Sequence, residues 1–470
     1  MVRWLKRLVL LLLGLVLVFA VAAWWLLRGS LPQLDGERAL DHLSAPVTIQ
    51  RDALGVVTID AANETDALRA LGYVHAQERY FEMDLLRRTA AGELAELFGP
   101  IAVDLDKAHR MHRFRARATN DMEAIAGGKR PQLDAYVAGV NAGLGDLDTR
   151  PWPYLLLRQA PEPWIPADTP LVGYAMYFDL QGGENARELD LARIAQHLSP
   201  ALFALLTHDG TTWDAPLFGQ PRGDAPLPTA DQVDLRTLPT PRRDGVKPMA
   251  AKGTPGSNNF AVSGALTRDG RAIVADDMHL GLRAPNIWFR AQLRYPDTKA
   301  PGGRVDIGGF TLPGIPFTVV GSTGHVAWAF TNSYVDTLDW AVQDVCGAKA
   351  SPACVPSVHH KEVIAVAGAE PVDFDVEETA WGPVMAHDAT GSALALRWVA
   401  HLPGSLNLNL VELTRARTLA DAVAVARSSA IPAQNMLIAD RSGAIGWRWL
   451  SANWATRQRH LRPTTTRSPA

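Results

Sequence analysis

Cysteine is almost absent from this chain. Only Cys346 and Cys354 occur among 470 residues, both in the loop "CGAKASPAC". That spacing argues against a metal centre. The pair is either a disulfide or two free thiols. A block of like charge is also lacking. Lys and Arg number 46 against 49 Asp and Glu, for a formal net charge of -3, so nothing suggests a nucleic-acid partner. No internal repeat is present. The 38 Gly and 32 Pro residues demand many loops and disfavour a helical bundle.

What is present suffices for a large core, with 47% hydrophobic and 20% charged residues. The length suggests two or three domains, or one large α/β unit. Residues 1–28 stand apart. Arg3, Lys6 and Arg7 precede an uncharged run from Leu8 to Leu27, closed by Trp24, Trp25 and Arg28. As a helix the run spans about 30 Å, enough to cross a bilayer. Its flanking charges place the N-terminus in the cytoplasm and the remainder outside. The segment is an anchor or a cleaved signal, and either reading puts residues 29–470 on the periplasmic side.

Residues 29–215 read as mainly helical. Two short strands are expected in "PVTIQRDALGVVTID", then a helix from Glu64 to about Phe98 stopped by Gly99-Pro100, with further helices at 130–146 and 170–208. Residues 216–256 are rich in Pro and Gly without a sustained period, which marks a spacer. After Ser257 the pattern turns to strands. "NNFAVSGAL" and "RAIVA" read as a hairpin about "TRDG", with Asp269-Gly270 supplying positive φ. Strands are also expected at 316–321, 325–331, 361–366 and 393–399, then a helix at 418–428 and a last hairpin in "NMLIADRSGAIGW".

The first hairpin has a chemical consequence. Ser257 begins one strand and His279 follows the other, so both lie at its open end, a nucleophile beside a base. Gly256 permits strained backbone and close approach to its carbonyl. Attack by Ser257 Oγ on that carbonyl would give an ester, and its hydrolysis would cut the chain. Ser257 would then carry a free α-amine of reference pKa about 7.7–8.0, able to serve as base for its own hydroxyl. His75 and Glu78, one helical turn apart, read as packing and ion pairing.

The motifs "ALGYVHAQERYFEMDLLRRTAAGELAELFG", "PEPWIPAD", "GSNNFAVSG", "DDMHLG", "GHVAWAFTNSYVDTLD" and "PAQNMLIADRSGAIG" occur in that order. Together they resemble the penicillin acylase (penicillin amidase) family of N-terminal nucleophile hydrolases. The resemblance implies an α+β fold with a four-layer αββα sandwich. It implies a precursor divided into an α part (29–215), an excised spacer (216–256) and a β part (257–447). The expected reaction is hydrolysis of an acyl side-chain amide, in β-lactams or in acyl-homoserine lactones, through an acyl-enzyme. By position, Ser257 matches the nucleophile, with self-cleavage at Gly256-Ser257. His279 matches a residue contacting the nucleophile region, and Asn332 one whose backbone N–H forms half of the oxyanion hole. The resemblance also implies a structural calcium ion held by Glu188, Asp336 and Asp339 and by the carbonyls of Leu338 and Pro432, an oxygen-only set. Phe178 and Leu280 are candidates for the acyl pocket. The family's β part runs further, and residues 448–470 have no family look. A C-terminally truncated chain with an anomalous tail is therefore expected, and an inactive remnant is the alternative to an enzyme.

Overall fold

The computed structural model describes residues 2–182, 184–216, 219–234, 236, 257–333, 335–346, 354–388 and 391–451. The chain divides into two units, Met1–Gln181 with Gly256–Thr466, and Gly182–Pro255 with Arg467–Ala470.

The larger unit opens with α1 (Val2–Gly29), exposed along its whole length and long and apolar enough to cross a membrane. The next elements are β1 (Thr48–Arg51), β2 (Val57–Asp60) and α2 (Glu64–Ala91). Asn63 caps α2 by accepting from the Asp66 N–H. The helix ends at Gly92, whose φ of 69° is the left-handed conformation that closes a helix, with its N–H returned to the last turn. The long expected helix therefore stops before Gly99, and only the short α3 (Ala95–Phe98) follows. Five more helices are α4 (Val103–Arg110), α5 (Phe114–Asn120), α6 (Met122–Ala126), α7 (Arg130–Gly145) and α8 (Trp152–Leu157). Then comes α9 (Asp168–Gln181), buried from Asp168 to Tyr177.

After Ser257 the unit is built of strands. β3 (Ser257–Val262) and β4 (Ile273–Met278) form a hairpin. They are followed by β5 (Phe289–Pro296), β6 (Arg304–Thr311), β7 (Thr318–Ser322) and β8 (Val326–Asn332). β9 (Leu338–Gln343), β10 (Ser357–Ile364), β11 (Val372–Thr379), β12 (Val384–His387) and β13 (Ala393–Trp398) come next. A helix (Leu419–Ser428) has a capping box of Thr418 and Asp421. β14 (Gln434–Asp440) and β15 (Ile445–Leu450) close the described chain. The last strand crosses the boundary placed at 447, since Arg448, Trp449 and Leu450 pair with Met436, Asn435 and Gln434.

The main sheet has eight strands in the order β1-β2-β5-β6-β7-β8-β14-β15, antiparallel except for the β2–β5 pair. Helices pack on it, and His75 of α2 ties the layers together. Its ring bonds Tyr136 Oη of α7 at 2.8 Å and Thr311 Oγ1 of β6 at 2.9 Å. Burial pushes this imidazole down to about 3, so it is neutral and structural. Glu78 pairs with Arg51 at 2.6 Å. The architecture is α+β. The β3–β4 hairpin leans on β8, β14 and β15 without joining their ladder.

In the smaller unit, a helix (Glu184–Ala195) is followed by another (Pro200–Thr207) capped by Ser199. The expected helix at 170–208 is thus three helices.

Candidate active site

Ser257 is the first residue of β3 and pairs with Met278. The hairpin loop is wider than a tight turn. A 3₁₀ turn occupies Gly264–Leu266, and Thr267 Oγ1 donates to the carbonyls of Gly264 and Arg271. Gly270 has positive φ, as expected, and Asp269 does not. The strand register still brings Ser257 and His279 together. The contact is made by backbone, because the His279 N–H donates to Ser257 Oγ at 3.3 Å. The imidazole is turned away and half exposed, with Nε2 2.9 Å from Asp277 Oδ2. A side-chain base at Ser257 is therefore not what the geometry provides. Gly256 lies outside the described residues.

Asn332 ends β8, opposite Gln434. Its side chain donates to the Leu180 carbonyl at 3.0 Å, and its own carbonyl accepts from Asn435 Nδ2 at 3.1 Å. The direction of its N–H follows from strand alternation. Ser333 N–H bonds Ala433 O on the β14 side, whereas Phe330 N–H reaches Asp276 Oδ2 of β4. Amides two residues apart point the same way, so the Asn332 N–H also points away from β14, to the side where β4 lies.

Asp276 escaped notice in the sequence. It faces Asn259 across the hairpin, one pair along from Ser257 on the same face. Burial pushes its carboxyl up to about 6, against the N–H bond from Phe330. Its Oδ1 is buried without a partner. Nothing in the sequence distinguished it from Asp277, because only the packing of the hairpin on β8 separates them.

An apolar cavity opens beside Ser257. It holds about 920 Å³, counting the part that reaches solvent, and Asn332, Met278, Leu280, Phe330 and Pro432 line it together with Ser257. Leu280, a candidate for the acyl pocket, lines this cavity. Phe178 is not among the lining residues. Its ring stacks on His109 at 4.2 Å and meets His112, Phe114 and Trp398 edge-on or tilted. Burial among these aromatics explains its place. Met176 lines the cavity instead.

Of the metal-ligand candidates, Asp336, Leu338, Asp339 and Pro432 belong to the larger unit. No group of three or more His, Cys, Asp or Glu that could hold an ion occurs among the described residues. Asp339 is half-buried, and burial and then Asp336 raise its carboxyl, while Arg397 acts against them. That mutual repulsion suits a cation between the two acids. Leu338 is buried in β9 between them in sequence, and Pro432 faces the acyl cavity. Glu188 is exposed on a helix of the smaller unit. Asp336 and Asp339 are the part of the set whose electrostatics suit calcium. Cys346 and Cys354 form a disulfide, with Cα atoms 4.9 Å apart.

Ser257 thus opens a strand beside an apolar cavity and a strand-end amide. The comparisons place the chain. The penicillin amidase family model matches residues 46–467, and the chain belongs to that family. A penicillin acylase 2 proenzyme of Pseudomonas sp. (strain SE83) is 33% identical over 89% of this chain and 54% of its own length. An acyl-homoserine lactone acylase QuiP of Pseudomonas fluorescens (strain Pf0-1) is 29% identical over 90% of this chain and 52% of its own. Penicillin G acylase of Escherichia coli is 23% identical over 80% and 49%. The chain spans about half the length of the curated relatives it matches.

Proposed function

We propose that this chain is an exported linear amide hydrolase that removes an acyl group from an amine through an ester on Ser257. The observation that carries the reading is Ser257 at the lip of an apolar cavity, with the β8 amides turned toward the same hairpin. Activation starts with the precursor. Ser257 Oγ attacks the Gly256 carbonyl carbon, the C–N bond breaks, and the nitrogen takes the hydroxyl proton. Water then cleaves the ester, leaving a Gly256 carboxylate and a free Ser257 amine.

In turnover that amine takes the Oγ proton as Ser257 attacks the substrate carbonyl. The His279 N–H orients Oγ, and the imidazole takes no part. The Asn332 N–H meets the developing oxyanion, a contact worth about 3–4 kcal/mol in comparable hydrolases. The amine product leaves with the proton, and water releases the acid. The spacer at 216–256 is removed, and the two products remain as α and β chains. The relatives' names suggest β-lactam side-chain amides and acyl-homoserine lactones as substrate classes. Calcium bound at Asp336 and Asp339 would brace the β8–β9 connection and take no part in chemistry.

Hydrolysis of a chromogenic acyl-anilide and of an acyl-homoserine lactone tests this. Release of acid by the chain, and none by Ser257→Ala, is expected. Equal rates in both would overturn the assignment.

A further inference from the structure

The cavity has a direction. Thr169, Gly173, Met176 and Leu180 all line it, and their spacing of three and four residues is one face of α9. The Leu180 end lies beside Asn332, whose side chain donates to the Leu180 carbonyl. From Leu180 to Thr169 this wall runs about 16 Å, at roughly 1.5 Å per residue. Tyr174 and Tyr177 of the same helix pack with Phe114 and Trp398 and do not line the cavity. The aromatic residues of the lining are Trp288, Phe317 and Phe330.

Gly173 lies about 10 Å along the helix from Leu180 on the same scale. A glycine inside a helix is unfavourable, and this one has ordinary helical backbone. What it provides is room. A Cβ there would stand 2.9 Å from Leu406 Cδ1 and 3.2 Å from Cδ2. Leu406 is itself buried and lines the cavity. Any side chain at 173 would push Leu406 toward the lumen.

We infer that the cavity takes an unbranched aliphatic acyl chain and that Gly173 with Leu406 sets the length it accepts. This rests on the acyl-enzyme reading for the placement of the carboxyl end at Ser257. A phenylacetyl group would fill only the part of the wall near Ser257, whereas a straight chain can follow the whole face.

The test is binding of product-like acids to the full chain. Straight-chain carboxylates of increasing length and phenylacetate are titrated by calorimetry. Affinity should rise roughly fourfold per methylene, the value of one buried CH₂, up to a plateau. Octanoate should bind at least about tenfold tighter than phenylacetate, which has the same number of carbons. Leu406→Ala should move the plateau to longer acids and Gly173→Ala to shorter ones. Leu406→Val should give a smaller shift of the same sign if the alanine variant fails to fold. Phenylacetate binding as tightly as octanoate would overturn the proposal. So would an equal loss across the whole series with the plateau unmoved. Hydrolysis is followed on the same preparations. Binding that behaves as stated without hydrolysis sinks only the catalytic reading. Hydrolysis with an unordered binding series sinks only the length rule.

Discussion

The ion-pair cluster at Asp84 and Asp168 and the nucleophile hairpin hold their polar groups differently. In the cluster each buried carboxylate is met from several sides. Asp84 accepts from Arg87 Nε at 2.7 Å, Arg88 Nε at 2.9 Å and Tyr154 Oη at 2.5 Å. Asp168 accepts from Arg87, Arg115 and the Ile165 N–H. On the hairpin, one Asp276 oxygen is buried without a partner, and Phe260, Leu266 and Ile273 are exposed. Among the described residues, Ser257 Oγ is held by the His279 backbone amide at 3.3 Å. The closed network fixes the scaffold, while the hairpin leaves its polar groups able to change partners. That division suits a site whose own backbone must be cut before it works.

The comparison can be broken most sharply at Ser257. Ser257→Ala should abolish both chain cleavage and hydrolysis while leaving the melting temperature of the uncut precursor nearly unchanged, as calorimetry would show. Next comes the ionic network. Asp84→Ala removes the carboxylate that Arg87 and Arg88 share and strips Tyr154 of its partner, and should destabilise by about 3–5 kcal/mol in urea unfolding. A loss below about 1 kcal/mol would show that the network is not what holds the layer.

Acid should also act through the buried histidines. His75 and His112 are both pushed down to about 3 by burial, and burial also pushes His401, bonded to His112 at 2.8 Å, well below the ordinary range. Between about 3 and 6.5 the unfolded chain therefore binds more protons than the folded one. Stability from these groups is intact above the unfolded value and is lost as pH falls, by up to about 1.4 kcal/mol per pH unit for each histidine. His75→Gln should flatten that slope, measured as unfolding free energy from pH 7 to 4.5. An unchanged slope would contradict the neutral buried ring.

A chelator should lower the melting temperature by a few degrees if calcium bridges Asp336 and Asp339. Asp336→Asn should remove that sensitivity, and a chelator without effect would count against the ion. The smallest change is expected at the exposed hairpin face, where Phe260→Ala should alter stability by less than about 0.5 kcal/mol.

Much of this contrast could be read in the sequence. Turn residues and alternation placed the hairpin, and the hairpin placed Ser257 beside residue 279. The direction of the His279 ring could not be read, because it depends on a rotamer drawn outward by Asp277. The end of α2 was misplaced because Gly92 and Gly99 carry equal signals, and only tertiary packing chooses between them. Phe178 and Met176 sit two residues apart on one helix. Deciding which faces the cavity needs the helix's orientation, which its nearly uniform burial hides. Partners of Asp336 and Asp339 outside β9 are equally invisible to spacing.

The central claim is that Ser257 becomes a chain terminus by its own chemistry. Intact-mass analysis with N-terminal mapping of the purified protein tests it most directly. A fragment beginning at Ser257, present in the native chain and absent from Ser257→Ala, is the predicted result. A well-folded native chain that stays whole, or a Ser257→Ala chain cut at the same bond, would contradict it.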